Sequence, residues 1–208
     1  MVSERLKKQL DFMLELDKMK NLYRQTYVLH EDRKENDAEH SWHLAIMTML
    51  LSEYSAEPVD ALHVMKMVLI HDVVEIDAGD TYCYDAEGNK SKAEREEKAA
   101  QRIFGMLPDD QKKEFYELWR EFEDSETADA RFAALIDRFQ PLMLNYTKGG
   151  ISWKEHDIRM EQVMARNREY FSSSEALAEV ITELINDAAE KGWLKNGKSA
   201  LPEQCSGQ

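Results

Sequence analysis

The chain has 208 residues, 43% of them apolar and 33% charged, with 8 glycines, 4 prolines and a formal net charge of -14. That length suits one domain with a real core, and few glycines and prolines beside many Leu, Met, Ala, Glu and Lys favour helix. The excess of acid excludes nucleic-acid binding as the main business, because a polyanion is repelled, and no apolar run reaches the roughly 18 residues needed to span a membrane.

The start, Met1-Val2-Ser3-Glu4-Arg5, carries charges into an amphipathic segment and does not read as a signal peptide. Leu6, Leu10, Met13, Leu14 and Leu16 continue it as a first helix of about five turns, ending near Asn21-Leu22-Tyr23-Arg24. Gln25 to Asp37 is polar and irregular and reads as a loop, with Asn36 or Asp37 as N-cap of the next helix, Ala38 to about Ala56. That helix is apolar on most sides, the pattern of a central bundle element. Pro58 opens a helix from Val59 to about Glu75, and Ile76 to Lys90 is a long loop bracketed by Gly79 and Gly88-Asn89. Ser91 to Phe104, Pro108 to about Glu123 and Thr127 to Lys148 read as three further helices. Ser152-Trp153-Lys154-Glu155 has the form of a capping box for a helix to about Tyr170, and Ser174 caps a last helix to near Lys191. The expected fold is all-α, a single helical bundle over residues 1–195, with a loosely held tail from Asn196 to Gln208. Cys83 and Cys205 match no disulfide or zinc spacing and read as free thiols of a cytoplasmic protein.

The chemistry concentrates in Val68-Leu69-Ile70-His71-Asp72-Val73-Val74-Glu75-Ile76-Asp77-Ala78-Gly79-Asp80. An apolar run ends in an adjacent His-Asp pair. Glu75 follows one helical turn later, and Asp80 lies just beyond a glycine. Burying an aspartate costs several kcal/mol unless it is paired or bound to metal. In a helical bundle the partners come from inward side chains of facing helices. His40 is a candidate, with Leu44, Met47 and Leu51 on its face; His43 is the competing neighbour. Asp137 is another, on a stripe with Ala130, Ala133, Ala134 and Leu144. Pro141 removes the helical partner of the Asp137 carbonyl and should kink the helix there. Each alone has a plainer reading: a packed histidine, an aspartate paired with arginine, an imidazole at a helix C-terminus. Together, two imidazoles and two carboxylates from three segments suit a divalent ion of Mn, Co, Fe, Ni, Zn or Mg, with positions open for water and substrate.

The ordered set His40, His71-Asp72 and Asp137 resembles the HD superfamily of metal-dependent phosphohydrolases. Glu39-His40-Ser41, His71-Asp72-Val73-Val74-Glu75 and Gly79-Asp80 look most like its branch of 5'-deoxynucleotidases, over roughly Leu6 to Arg168. The resemblance implies a helical domain, often a homodimer, that hydrolyses nucleoside 5'-monophosphates to nucleoside and phosphate. By similarity His40, His71, Asp72 and Asp137 are metal ligands, Glu75 and Asp80 catalytic carboxylates, and Arg24 the phosphate-binding arginine. Bacterial members carry a tryptophan after that arginine, where this chain has Gln25, so selection for deoxyribose stays open. Triphosphates, cyclic nucleotides and ppGpp are alternative substrates, the polyphosphates disfavoured by the shortage of basic residues near the motifs. A non-enzymatic dimer stabilised by its metal is the alternative outside catalysis. The apolar faces of the last two helices, with Leu177, Val180, Ile181 and Leu184, suit either internal packing or a dimer seam.

Overall fold

The computed structural model describes residues 2–85 and 87–195; the expectation for the tail falls outside these. Helix α1 (Glu4–Leu16) starts at Ser3, whose side chain accepts from the Leu6 N–H, and passes into a 3₁₀ turn, Asp17–Asn21. The expected loop after it contains two short antiparallel strands, β1 (Tyr23–Tyr27) and β2 (Lys34–Asn36), pairing Tyr23 with Asn36 and Tyr27 with Lys34 around an irregular register. Asn36 then caps α2 (Asp37–Leu51) in a capping box with Glu39.

The middle of the molecule is made by α3 (Ala61–Ile70) and α7 (Ala128–Thr147), packed on each other and on α2 and α6 (Asp109–Asp124). Val64, Met67 and Val68 of α3 meet Phe132, Ala133, Leu135 and Ile136 of α7 in a closed core with Leu44. Each large side chain sealed there contributes about 1.5–3 kcal/mol. Helix α7 begins at the Thr127 cap and continues through Pro141 to Thr147. Helix α5 (Lys92–Phe104) packs on α6, and α10 (Glu175–Glu190), capped by Ser174, closes over α7 and α9 (Met160–Arg168).

Three expectations are corrected. The helix read as Val59 to Glu75 ends at Ile70, gives way to a 3₁₀ turn at His71–Val74, and resumes as the short α4 (Glu75–Ala78). The capping box read at Ser152 does not form: Ser152 is buried inside α8 (Ile151–Glu155), and Gly150 precedes that helix with φ 68°. A Cβ at Gly150 would stand 2.6 Å from Trp193 Cβ, so no other residue fits the turn. Helix α8 stops where Asp157 adopts φ 55° and the Ile158 N–H reaches back to the Trp153 carbonyl at 2.9 Å, a left-handed C-cap closed by buried Ile158. Finally, α2 is not covered on all sides: Trp42 and Leu50 are 63% and 65% exposed, and Ile46 and Met49 are exposed with them.

Candidate metal centre

The 3₁₀ turn after α3 tightens the backbone where His71 and Asp72 stand, and both side chains enter one cavity. His71 Nε2 is 3.1 Å from Asp72 Oδ1 and 3.6 Å from Asp137 Oδ1. From α2, His40 brings its Nε2 to 3.0 Å from Asp137 Oδ1 and 3.9 Å from Asp72 Oδ2. The four candidate ligands thus converge from three segments. His43, the competing histidine, is half-buried and stands apart, its Nδ1 accepting from Gln140 Nε2 at 3.1 Å.

The donor chemistry fits a divalent ion. His71 donates from Nδ1 to the Val68 carbonyl at 2.9 Å, so its Nε2 carries the lone pair toward the carboxylates. That Nε2 is buried and has no hydrogen-bond partner among the described residues, although Asp72 Oδ1 lies 3.1 Å away. Without a cation, the carboxylates act on protons instead. Burial works against charge on His71, but Asp72 and Asp137 outweigh it and raise its pKa well above the usual imidazole range. Burial and Arg24 oppose charge on His40, and Asp137 and Glu35 overcome them. Burial alone would raise Asp72 and Asp137; the facing imidazoles, with Arg24 beside Asp72, hold both low.

Beside this set lies a second group of acids. Asp37, Glu75 and Asp80 offer carboxylate oxygens within 4.8 Å of one another. Burial, then the neighbouring Asp72, pushes Asp37 up to about 7 and Glu75 well above the usual carboxylate range. Burial raises Asp80 too, against the pull of Arg24. Glu75 Oε2 and Asp37 Oδ2 are buried without a hydrogen-bond partner among the described residues. Gly79, at φ 77°, ends α4 and turns the chain so that Asp80 lines the cavity. Arg24 comes from β1, its Nη1 2.6 Å from Asp72 Oδ2 and 3.5 Å from Asp37 Oδ1. All seven residues singled out in the sequence are brought together.

Sequence reasoning missed Asp37 as part of the site, because a residue that can cap a helix already has a reason to be there. It also placed too few cations. Lys92 lines the cavity and pairs with buried Glu96 at 3.4 Å, and Arg138 and Arg166 stand on the same wall. Lys90, by contrast, is exposed and pairs with Glu87. Gln25 lines the cavity with its Oε1 accepting from Lys34 Nζ and facing His156 Nε2 at 3.2 Å. Cys83 is a free thiol whose pKa burial raises, so it offers no ready thiolate nucleophile.

A stability profile follows. Asp37, Glu75, Asp80, His40 and His71 all bind protons more tightly folded than unfolded, so their contribution is present in acid and is lost as pH rises, beginning above the ordinary carboxylate range for the acids and above the ordinary imidazole range for the histidines. Asp72 and Asp137, held low, lose theirs only as pH falls below the ordinary carboxylate range. Scanning fluorimetry of metal-stripped protein should show Tm falling from about pH 5 to about pH 8, and an added divalent ion should raise Tm more at the higher pH. A rise in Tm with pH in the stripped protein would contradict this balance of charges.

Residues 16–178 match the HD domain family, and the chain belongs to it. It is 46% identical to a predicted metal-dependent phosphohydrolase from Magnetospirillum magnetotacticum MS-1, with a TM-score of 0.85 over 92% of this chain and 99% of that one. The 5'-deoxynucleotidase HDDC2 of Homo sapiens is 29% identical over 135 residues, 64% of this chain and 65% of the human protein, just under two thirds of its length. The 5'-deoxynucleotidase HDDC2 of Danio rerio is 27% identical over 167 residues, 80% of this chain and 78% of that protein. An HD-domain phosphohydrolase from Listeria innocua, 18% identical, shares the fold with a TM-score of 0.64 over 88% of this chain and 92% of that one.

Proposed function

We propose that this chain is a metal-dependent phosphohydrolase that converts nucleoside 5'-monophosphates, deoxyribonucleotides among them, to nucleoside and phosphate. The observation that carries the reading is one cavity lined by His71, Asp72, Asp137, the guanidinium fork of Arg24 and Glu75, with His40 buried behind it at 3.0 Å from Asp137. The names of the human and zebrafish relatives supply the substrate class.

His40, His71, Asp72 and Asp137 would hold the divalent ion, which supplies Lewis acidity toward a phosphate ester. Arg24 binds phosphate oxygens, steered by Asp72 and Asp37, which hold its guanidinium from one side. Glu75, desolvated and without a partner at Oε2 among the described residues, orients the attacking water and, in its ionised form, takes its proton. Asp80, its pKa raised, protonates the leaving 5' oxygen or accepts from a sugar hydroxyl. The test is phosphate release by metal-stripped protein, given one divalent ion at a time, from a panel of ribo- and deoxynucleoside 5'-mono- and triphosphates. Metal-dependent release from monophosphates is expected, and the ribo-to-deoxy ratio reads what Gln25 does. Release from triphosphates alone would replace this reading by a second one, which Lys92, Arg138 and Arg166 on the cavity wall favour: a substrate with more than one acidic group.

The chain also works as a homodimer in this proposal, in a cytoplasmic setting that suits the unpaired thiol of Cys83. Support for the dimer comes from α2 and α3, where Trp42, Ile46, Met49 and Leu50 run in helical spacing beside exposed Leu62 and Leu69. Of the α10 face, Leu177 and Ile181 are buried within the chain, Leu184 is partly buried and Val180 is exposed. No helix among the described residues is long and apolar enough to cross a membrane. Replacing Met49 and Leu50 together by glutamate should halve the mass measured by light scattering, with the fold retained. A wild-type protein that already runs as a monomer at micromolar concentration would remove the dimer.

A further inference from the structure

His40 is held on both edges of its ring by one face of α7. Asp137 stands at Nε2, and Gln140, three residues further on, places its Oε1 3.1 Å from Nδ1. Gln140 is fully buried, and each polar group of its amide has a partner: its Nε2 donates to Glu35 Oε1 at 2.7 Å and to His43 Nδ1 at 3.1 Å. Glu35, from β2, is buried as well, with its second oxygen 3.7 Å from His40 Nδ1.

These contacts leave the amide one orientation. A glutamate carboxylate only accepts hydrogen bonds, so the NH₂ group of Gln140 must face it. Turning the amide over would set its carbonyl against the Glu35 carboxylate and leave a buried repulsion. With the NH₂ committed, Oε1 faces His40, and an oxygen can only accept. A ring that keeps one proton therefore carries it on Nδ1, which leaves Nε2, the nitrogen facing Asp137 and Asp72, to take a cation in place of a proton.

We propose that Gln140 and Glu35 are positioning residues that fix the tautomer and ring orientation of His40, so that its Nε2 is presented to the metal ion. The inference rests on the reading of His40 as a metal ligand. Its logic is that of outer partners of ligating histidines, which hold the ring and strengthen the nitrogen donor through the opposite N–H. A burial requirement alone would be met more cheaply by Leu or Met at position 140, since an amide in a core needs every group satisfied. Here the amide is satisfied by the group that has to be oriented.

The experiment is a chelator-competition titration of the full chain with zinc or cobalt. Gln140→Met keeps the volume and removes the acceptor; it should weaken binding about 10- to 100-fold while the metal-free Tm stays within a few degrees of wild type. The exchanged pair, Glu35→Gln with Gln140→Glu, restores a donor facing a carboxylate and an acceptor facing His40, and should return affinity to within a few-fold of wild type. Wild-type affinity in Gln140→Met overturns the proposal, as does an exchanged pair that binds as poorly as the single variant. Should Gln140→Met fail to fold, nitrogen-15 imidazole spectra of the zinc-loaded wild type decide the point. A His40 proton on Nδ1 supports the relay, and ligation through Nδ1 refutes it. Failure of the wild type to bind either ion would instead sink the metal reading on which the relay depends.

Discussion

Asp72→Ala should abolish divalent-ion binding and phosphate release in the same step. Asp72 stands at the junction of the site: its Oδ1 is 3.1 Å from His71 Nε2, and its Oδ2 is 2.6 Å from Arg24 Nη1 and 3.9 Å from His40 Nε2. In the proposed ligand set, removing it takes away one anionic ligand. It also strands Arg24, whose remaining contact in this group is Asp37 at 3.5 Å, and leaves a part-buried guanidinium free to occupy the space the cation needs. Metal affinity and turnover should each fall by about 10³-fold or more, because the proposed ligand and the anchor of Arg24 disappear together. The checks are metal content after gel filtration and phosphate release under metal saturation. A variant that keeps its ion while losing turnover would move Asp72 out of the ligand set.

Glu75→Ala should separate those two readouts. Glu75 begins α4, one short turn beyond His71 and Asp72, and its Oε2 is buried without a partner among the described residues. Nothing in its surroundings makes it a structural necessity: burial raises its pKa first, and the neighbouring Asp72 and Asp80 raise it further. A carboxyl kept in such a place at a cost is suited to taking up and releasing a proton. Turnover under metal saturation should drop about 10²- to 10⁴-fold with metal affinity within a few-fold of wild type. The metal-free variant should also be more stable than wild type near pH 8, because a buried carboxyl with a raised pKa has been removed. Wild-type turnover in Glu75→Ala would show that the proton leaves by another route.

The parts of this site that could be read from the sequence share one property: a charge stood where packing offered no reason for it. The His71-Asp72 pair closes an apolar run, and Asp137 interrupts a stripe of alanines. Asp37 has no such signature, since a helix start explains an acid without any cavity. Gln140 was hidden in the same way, as one polar residue after Arg138 and before Pro141 in a helix with several. Its meaning depends on Glu35 and His43, which are distant in sequence and meet it only in the fold. Lys92 opens α5 after a long loop, and no local periodicity says that the loop carries it to the cavity of His71, Asp72 and Asp137.

The fold was legible for the same reason and failed in the same way. Apolar spacing located the bundle helices, whereas β1 and β2 are too short to show alternation above chance. Helices α8 and α9 read as one because Asp157 is not glycine, yet it takes the left-handed conformation that ends a helix. The apolar circumference of α2 fits a helix covered on all sides, and periodicity cannot distinguish cover supplied by the same chain from cover supplied by another.

The account stands most directly on whether a divalent ion in this centre is what makes the chain hydrolyse a phosphate ester. The measurement is a titration of metal-stripped protein with cobalt, following phosphate released from a deoxynucleoside 5'-monophosphate at each addition. Release should be absent at the start, rise with added cobalt, saturate, and be lost again on chelation. Release that is unchanged by stripping, or a saturated centre that liberates no phosphate, would contradict the account.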